Sequence, residues 1–314
     1  KYCLPVAKRD DVKMNSFLEK HYIFRQFLGN TWDFFYNEKL GICCRNLTRK
    51  NTWTDAVSLE RRASRYFNAV MHDNYFHIVF QDMHGNIVYM KYNGVSYSTL
   101  PILNSKSPST YNKHLQLAVE NGDIHFMYIL IHNDKVLLTH QVLSNGTVEN
   151  PKVVDYVYDS NVPCKAAQDK SGNIYVFYQS PGITSTQLGY RVLSRENKNW
   201  SAFTPITSPG TKCDFPSVVV DNSNVMHVCF QRQVQDQGQD QEQEQRKVQD
   251  QGEGQYKLVY KQKTPGENQW SDETIIHSSP YPFDNSSVLV IDEKVIVYWV
   301  RMNTIFYSYS NNSG

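Results

Sequence analysis

Residues 173–179 read NIYVFYQ, and the same shape of heptapeptide recurs along the chain. It stands at 31–37 as TWDFFYN, at 75–81 as YFHIVFQ, at 123–129 as DIHFMYI, at 225–231 as VMHVCFQ and at 294–300 as KVIVYWV. Short runs rich in β-branched and aromatic residues, bounded by Asn, Asp and Gly, are strand signals. The last aromatics of the six copies, Tyr36, Phe80, Tyr128, Tyr178, Phe230 and Trp299, lie 44, 48, 50, 52 and 69 residues apart. Only the final interval is out of range, and it contains the 23-residue run QVQDQGQDQEQEQRKVQDQGEGQ at 233–255. Without that run the interval returns to 46. The Gln/Asp/Glu-rich segment is therefore read as a low-complexity insertion into a loop of the fifth repeat.

Each copy sits among three companions. An apolar run precedes it, as in LQLAVE (115–120), SVVVD (217–221) and VLVID (288–292). A third strand follows, as in NIVYMKY, KVLLTHQ, QLGYRVL, KLVYKQK and TIFYSYS, and then a turn into TWTDAVSL, SYSTLPIL, NWSAFTPI or QWSDETII. Four antiparallel strands repeating every 44 to 52 residues predict an all-β fold, a six-bladed β-propeller of four-stranded blades. The sixth copy ends at TIFYSYS, one strand short. Tyr2–Val6, YCLPV, matches the fourth-strand run YSTLPI, so the N-terminal strand is expected to close the last blade and make residues 1–314 a single propeller.

Composition narrows the function classes. Lys plus Arg at 32 against Asp plus Glu at 31 gives no footprint for nucleic acid or an anionic membrane, and neither is expected as a partner. No run approaches eighteen apolar residues and KYCLPVAKRDDVK lacks a basic-then-apolar leader, so no membrane span is expected. The six cysteines, 3, 43, 44, 164, 213 and 229, contain no CxxC spacing. They read as buried small hydrophobes rather than disulfides or a zinc site, and no metal or cofactor is expected. That usage favours a reducing, cytoplasmic setting, with a secreted mature form as the alternative.

The turns SRENKNW (194–200) and TPGENQW (264–270) resemble eroded Asp boxes of the sialidase-type six-bladed propellers. The first keeps Ser194 and Trp200 with Glu196 in the acidic place, and the second keeps Trp270. A sialidase needs three arginines for the substrate carboxylate. Arg25 and Arg65 stand near inner strands, but the later repeats supply no third. The resemblance thus implies the architecture, and an enzyme is expected to be the less favoured case.

Candidate ligand residues follow from the architecture, because the segments leading into the inner strands gather loops from every blade. They carry His21, then Arg61, Arg62 and Arg65, then Asn112, Lys113 and His114, then Asn161 and Lys165, then Cys213 and Asp214, then Tyr281, Asp284 and Asn285. His21, Arg65, Lys113, His114, Asp214, Asp284 and Asn285 are the expected ligand-binding set, with no catalytic residue among them. The function expected first is a noncatalytic binding or scaffold propeller for a glycan or a protein. The alternative is a glycoside hydrolase using Asp214 and Asp284, whose carboxyls would need to stand roughly 5 to 9 Å apart. Trp53, Trp200 and Trp270 share one repeat position, as do His77, His125 and His227. Both sets are expected to serve packing rather than sugar stacking or metal binding. The arm at 233–255, with its VQDQG duplication fourteen residues apart, is expected to be solvated, with a partner as its other use.

Overall fold

A computed structural model of the protein describes residues 21–106, 108, 111–181, 186–234, 256–267, 269–291, 293–302 and 304–310. The fold is an all-β six-bladed propeller of antiparallel, mainly four-stranded blades. Its described residues fall into two compact units, 21–155 and 156–310, with three blades each.

In the first unit, blade 1 is β1 (Tyr22–Arg25), β2 (Thr31–Asn37), β3 (Gly41–Asn46) and β4 (Val57–Glu60). Blade 2 is β5 (Ala63–His72), β6 (Tyr75–Asp82), β7 (Ile87–Tyr92) and β8 (Tyr97–Leu103). Blade 3 is β9 (Gln116–Glu120), β10 (Asp123–His132), β11 (Lys135–Ser144) and β12 (Thr147–Val148), with β13 (Lys152–Tyr156) also on β11. The hairpins are tight because Asp73–Asn74, Asn121–Gly122, Asn133–Asp134 and Asn145–Gly146 all take positive φ. Two such residues make the turn whose twist matches the flanking strands. Rings seal the blades to one another: Phe34 meets Phe76 at 4.7 Å and Tyr89 meets Phe126 at 5.6 Å.

In the second unit, blade 4 is β14 (Cys164–Gln168), β15 (Ile174–Ser180), β16 (Gln187–Leu193) and β17 (Thr204–Pro205). Blade 5 is β18 (Lys212–Val220), β19 (Met226–Gln233), β20 (Tyr256–Lys263) and β21 (Thr274–Ser279). Blade 6 has three strands among the described residues, β22 (Asn285–Ile291), β23 (Lys294–Arg301) and β24 (Thr304–Ser310). Residues 2–6, the expected closing strand, lie outside the described residues, as do residues 235–255 of the segment 233–255 read as an insertion, whose first residue, Gln233, is the last of β19. At Gly189, paired with Pro205, a Cβ would stand 2.4 Å from the Thr204 carbonyl oxygen and 2.5 Å from the Phe203 ring, so a bare backbone is required there.

The repeated heptapeptide is the second strand of every blade. Its closing aromatic is buried in five copies, Phe80, Tyr128, Tyr178, Phe230 and Trp299. In blade 1 the fully buried ring is instead Phe34, two residues before Tyr36. The five described cysteines are free and buried, and burial raises the thiol pKa of Cys44 to about 11 and of Cys229 to about 12.

Candidate functional site: a cleft at the leading end of blades 4 to 6

The first strand of each blade begins, the second ends and the third begins at one end of the sheet. Buried glutamines organise that end. Gln179 Oε1 accepts the Cys213 N–H at 3.2 Å, and Gln179 Nε2 donates to the Thr211 carbonyl at 3.3 Å. Gln231 Oε1 accepts the Phe283 N–H at 2.7 Å. In the other unit Gln81 does the same for blade 3, accepting the Lys113 N–H at 3.2 Å and donating to the Tyr111 carbonyl at 3.0 Å. Each amide ties the end of one blade's second strand to the segment leading into the next blade. It supplies partners for backbone groups that burial would otherwise leave unpaired. The sequence carries the signal, as the Gln that follows the last aromatic in three of the six copies.

Between the segments thus fixed lies a cleft of about 450 Å³. Tyr158, Asp159, Ser160 and Asn161 form one wall. Lys212, Cys213 and Asp214 from β18, Gln231 and Gln233 from β19, Tyr256 from β20 and Pro282 complete it. Gln233 and Tyr256 are directly paired, so the two described strands that flank the insertion end in the cleft's rim.

Asp214 holds the walls together. Its Oδ1 accepts N–H groups of Phe215 at 2.7 Å and Val162 at 3.3 Å, and its Oδ2 accepts the Asn161 side-chain amide at 2.8 Å and the Asn161 N–H at 3.4 Å. The strand bulges between Asp214 and Ser217, and Phe215 takes φ 51°, which turns the carboxylate toward these donors. A carboxylate so supplied clamps the segment before blade 4 to the start of blade 5. Asp159 and Lys212 are exposed, and Tyr158 and Tyr256 bring two phenols with no hydrogen-bond partner among the described residues. Burial, opposed by the Arg232 charge and helped by those of Glu273 and Asp214, pushes the Cys213 thiol far above its usual range.

Of the expected ligand residues, Asp214 lines this cleft. Asp284 and Asn285 stand beside it at the start of blade 6, where Asp284 Oδ2 accepts the Met302 N–H at 3.1 Å. The other four belong to the 21–155 unit. Arg65 is exposed on β5, as are Arg61 and Arg62 before it. Lys113 is 1% exposed, with its ammonium 4.3 Å from the Tyr111 ring centroid, and burial lowers its pKa. His114 takes φ 48° and donates its N–H to Asn112 Oδ1 at 2.8 Å. His21 Nδ1 lies 2.9 Å from the buried Asp33 carboxylate, which also receives Arg45 Nε at 2.9 Å.

The repeated histidines pack against the third strand of their own blades. His77 and His227 meet the Tyr89 and Tyr260 hydroxyls at 2.6 and 2.7 Å, and His125 meets His140 at 3.0 Å. Burial, with the neighbouring Lys91 and His72, lowers the His77 pKa to about 4. Burial with His125 and Lys152 lowers that of His140 to about 3. No cluster of three metal-ligating side chains occurs among the described residues. Trp270 closes blade 5 on blade 4, edge-on to Phe177 and Tyr190 at 5.9 Å each, while Trp53 is 37% exposed and carries Arg45 at 5.0 Å.

No protein-family model and no curated protein matches the sequence. Solved structures do. An ulvan lyase of polysaccharide lyase family PL25 superposes with a TM-score of 0.59 at 12% identity, covering 92% of this chain and 80% of that one. The BP39L lectin of Burkholderia pseudomallei gives 0.60 at 13%, over 90% and 77%. AofleA of Arthrobotrys oligospora gives 0.50 at 9%, over 93% and 83%. Carbohydrate-active enzymes and lectins share this propeller. The fold expected from the sialidase-type turns stands, but these likenesses do not extend to membership of the sialidase family. The expectation that the chain is more likely not an enzyme is corrected by the same comparison, since a propeller matching nearly the whole chain is a polysaccharide lyase. Missing Asp boxes and a missing arginine trio test for one chemistry only.

Proposed function

We propose that this chain is a carbohydrate-active enzyme that cleaves a polysaccharide lying in the cleft at the leading end of blades 4 to 6. The observation that carries this reading is the company kept by Asp214: a clamped carboxylate among an exposed carboxylate, an exposed ammonium and two phenols with no hydrogen-bond partner among the described residues. It is supported by the whole-length likeness to a polysaccharide lyase, one structure of which is described as bound to -[GlcA(1-4)Rha3S]-.

Hydrolysis by paired carboxyls needs a free acid and a free base. With Asp214 occupied by four donors, Asp159 is the one free carboxylate among the described residues of the cleft. Elimination from a uronate fits the remaining groups better. The Lys212 ammonium offsets the sugar carboxylate, which acidifies the adjacent C5 proton. A tyrosinate takes that proton, the C4–O bond breaks as the C4=C5 bond forms, and the departing oxygen takes a proton from a phenol.

The test is incubation of the protein with polygalacturonate, alginate, carrageenan and neutral arabinan, following reducing ends and the absorbance of unsaturated products. Unsaturated ends from an acidic polymer are expected. Replacing the proton-carrying phenol, by Tyr158→Phe or Tyr256→Phe, should lower turnover by roughly 10²–10⁴-fold. Reducing ends without unsaturation would replace elimination by hydrolysis, and no cleavage of any acidic polymer would overturn the reading.

A further inference from the structure

Beside Pro282, at the edge of the cleft, stands a cation without an acid. Arg301 ends β23, and its guanidinium lies 5.7 Å from the centroid of the Tyr281 ring. Its Nε is buried and makes no hydrogen bond among the described residues, and no carboxylate among them lies within ion-pair distance. The preceding blade has an arginine at the matching place, two residues past the closing aromatic. There Arg232 is paired with Glu273. Tyr281 is 59% exposed, and its segment is fixed where Gln231, a wall of the cleft, accepts the Phe283 N–H.

A guanidinium with one N–H left unpaired gains from a further acceptor, and Arg301, only half-buried as a whole, can meet one from outside through the rest of its fork. A guanidinium offers a planar fork that matches a carboxylate or a sulfate, and an aromatic face beneath it holds the fork without neutralising its charge. We propose that Arg301 and Tyr281 form a subsite for the acidic group, uronate carboxylate or sulfate ester, of a polysaccharide extending out of the cleft past Pro282. This inference rests on the reading of the chain as a polysaccharide-active protein and assigns its substrate class at a position outside the reacting sugar. His277 reports on it. Burial and then the charge of Arg301 lower the His277 pKa, so an anion settling on Arg301 should raise it.

Titration calorimetry of wild type, Arg301→Gln, Arg301→Lys and Tyr281→Ala against polygalacturonate, carrageenan and neutral arabinan tests the subsite. Arg301→Gln should weaken binding of an acidic polymer roughly ten- to a hundredfold and leave arabinan unchanged, because charge-assisted hydrogen bonds are lost. Arg301→Lys should recover part of the loss. A loss confined to polygalacturonate identifies the group as a carboxylate, and one confined to carrageenan identifies a sulfate. Equal binding by wild type and Arg301→Gln, or no binding of either acidic polymer by wild type, overturns the subsite. Should Arg301→Gln fail to fold, the His277 titration in wild type decides: a rise on adding galacturonate or carrageenan oligomers supports it and no change with either overturns it. Turnover separates the two proposals, since cleavage with unchanged binding by Arg301→Gln leaves the enzyme standing without this subsite. Weakened binding with no cleavage by wild type leaves the subsite standing without the enzyme.

Discussion

Blades 5 and 6 are built on the same three inner strands and differ in what lies beyond them. In blade 5, β21 and the turn before it bring Glu273 to Arg232, Trp270 to the rings of blade 4, and Ser279 to a fully buried site. Blade 6 shows no fourth strand among its described residues, and its matching arginine lies on Tyr281 with an unpaired Nε. One residue type at one place in the repeat is thus a structural partner in one blade and an available charge in the next. The inner strands set where an arginine stands. Whether a neighbouring segment brings it an acid, as Glu273 does for Arg232, decides whether it is spent on the fold.

The comparison can be tested at its strongest point first. Trp299, 1% exposed and stacked between His277 at 5.2 Å and Phe306 at 5.8 Å, carries the core of blade 6. Trp299→Ala should cost about 3–5 kcal/mol in denaturant unfolding. A loss well below that of Phe230→Ala in blade 5 would mean that the described strands of blade 6 are loosely packed.

The two aspartates should differ next. Asp214→Ala removes the acceptor for four donors and should cost about 1–3 kcal/mol, whereas Asp284→Ala, with one such bond at an exposed site, should stay under about 1 kcal/mol. Equal costs would show that the clamp is dispensable. Glu273→Gln is expected to change stability by no more than about 1 kcal/mol, because the pair with Arg232 is only partly shielded from water. It should also turn Arg232 into a second unpaired cation, read as tighter retention of polygalacturonate at low salt.

The smallest effect is in His277. Its folded pKa is below the ordinary 6.5, so the unfolded chain binds the proton more readily and stability falls as pH drops below 6.5. Arg301→Gln removes one of the two causes. The His277 titration followed by NMR should shift upward, and the acid loss of stability should shrink. An unchanged titration would separate the two side chains.

The six copies and their strand order were legible in the sequence because strand period and burial repeat with the blade. The packing role of the histidines was legible too, since His77, His125 and His227 recur among apolar neighbours and each meets a partner on the next strand. Lys113 was not. A lysine in a polar segment reads as solvated, and only the fold turns it inward over Tyr111. Nor could spacing show that Arg232 has an acid 41 residues on while Arg301 has none among the described residues. Asp214 was legible as a residue of the leading end but not as a clamp, because its donors come from Asn161 and Val162, in another blade's approach.

The glutamine ties have a consequence for how such a protein can change. In each, the group held is a main-chain N–H, and the residues that offer it are Lys113, Cys213 and Phe283, a cation, a thiol and a hydrocarbon ring. The rivet grips the thread of the chain and ignores the bead strung on it. Substitution at the fixed positions can therefore rewrite the chemistry beneath the approach loops while the loops keep their course, and one frame can be refitted for ligands with nothing in common.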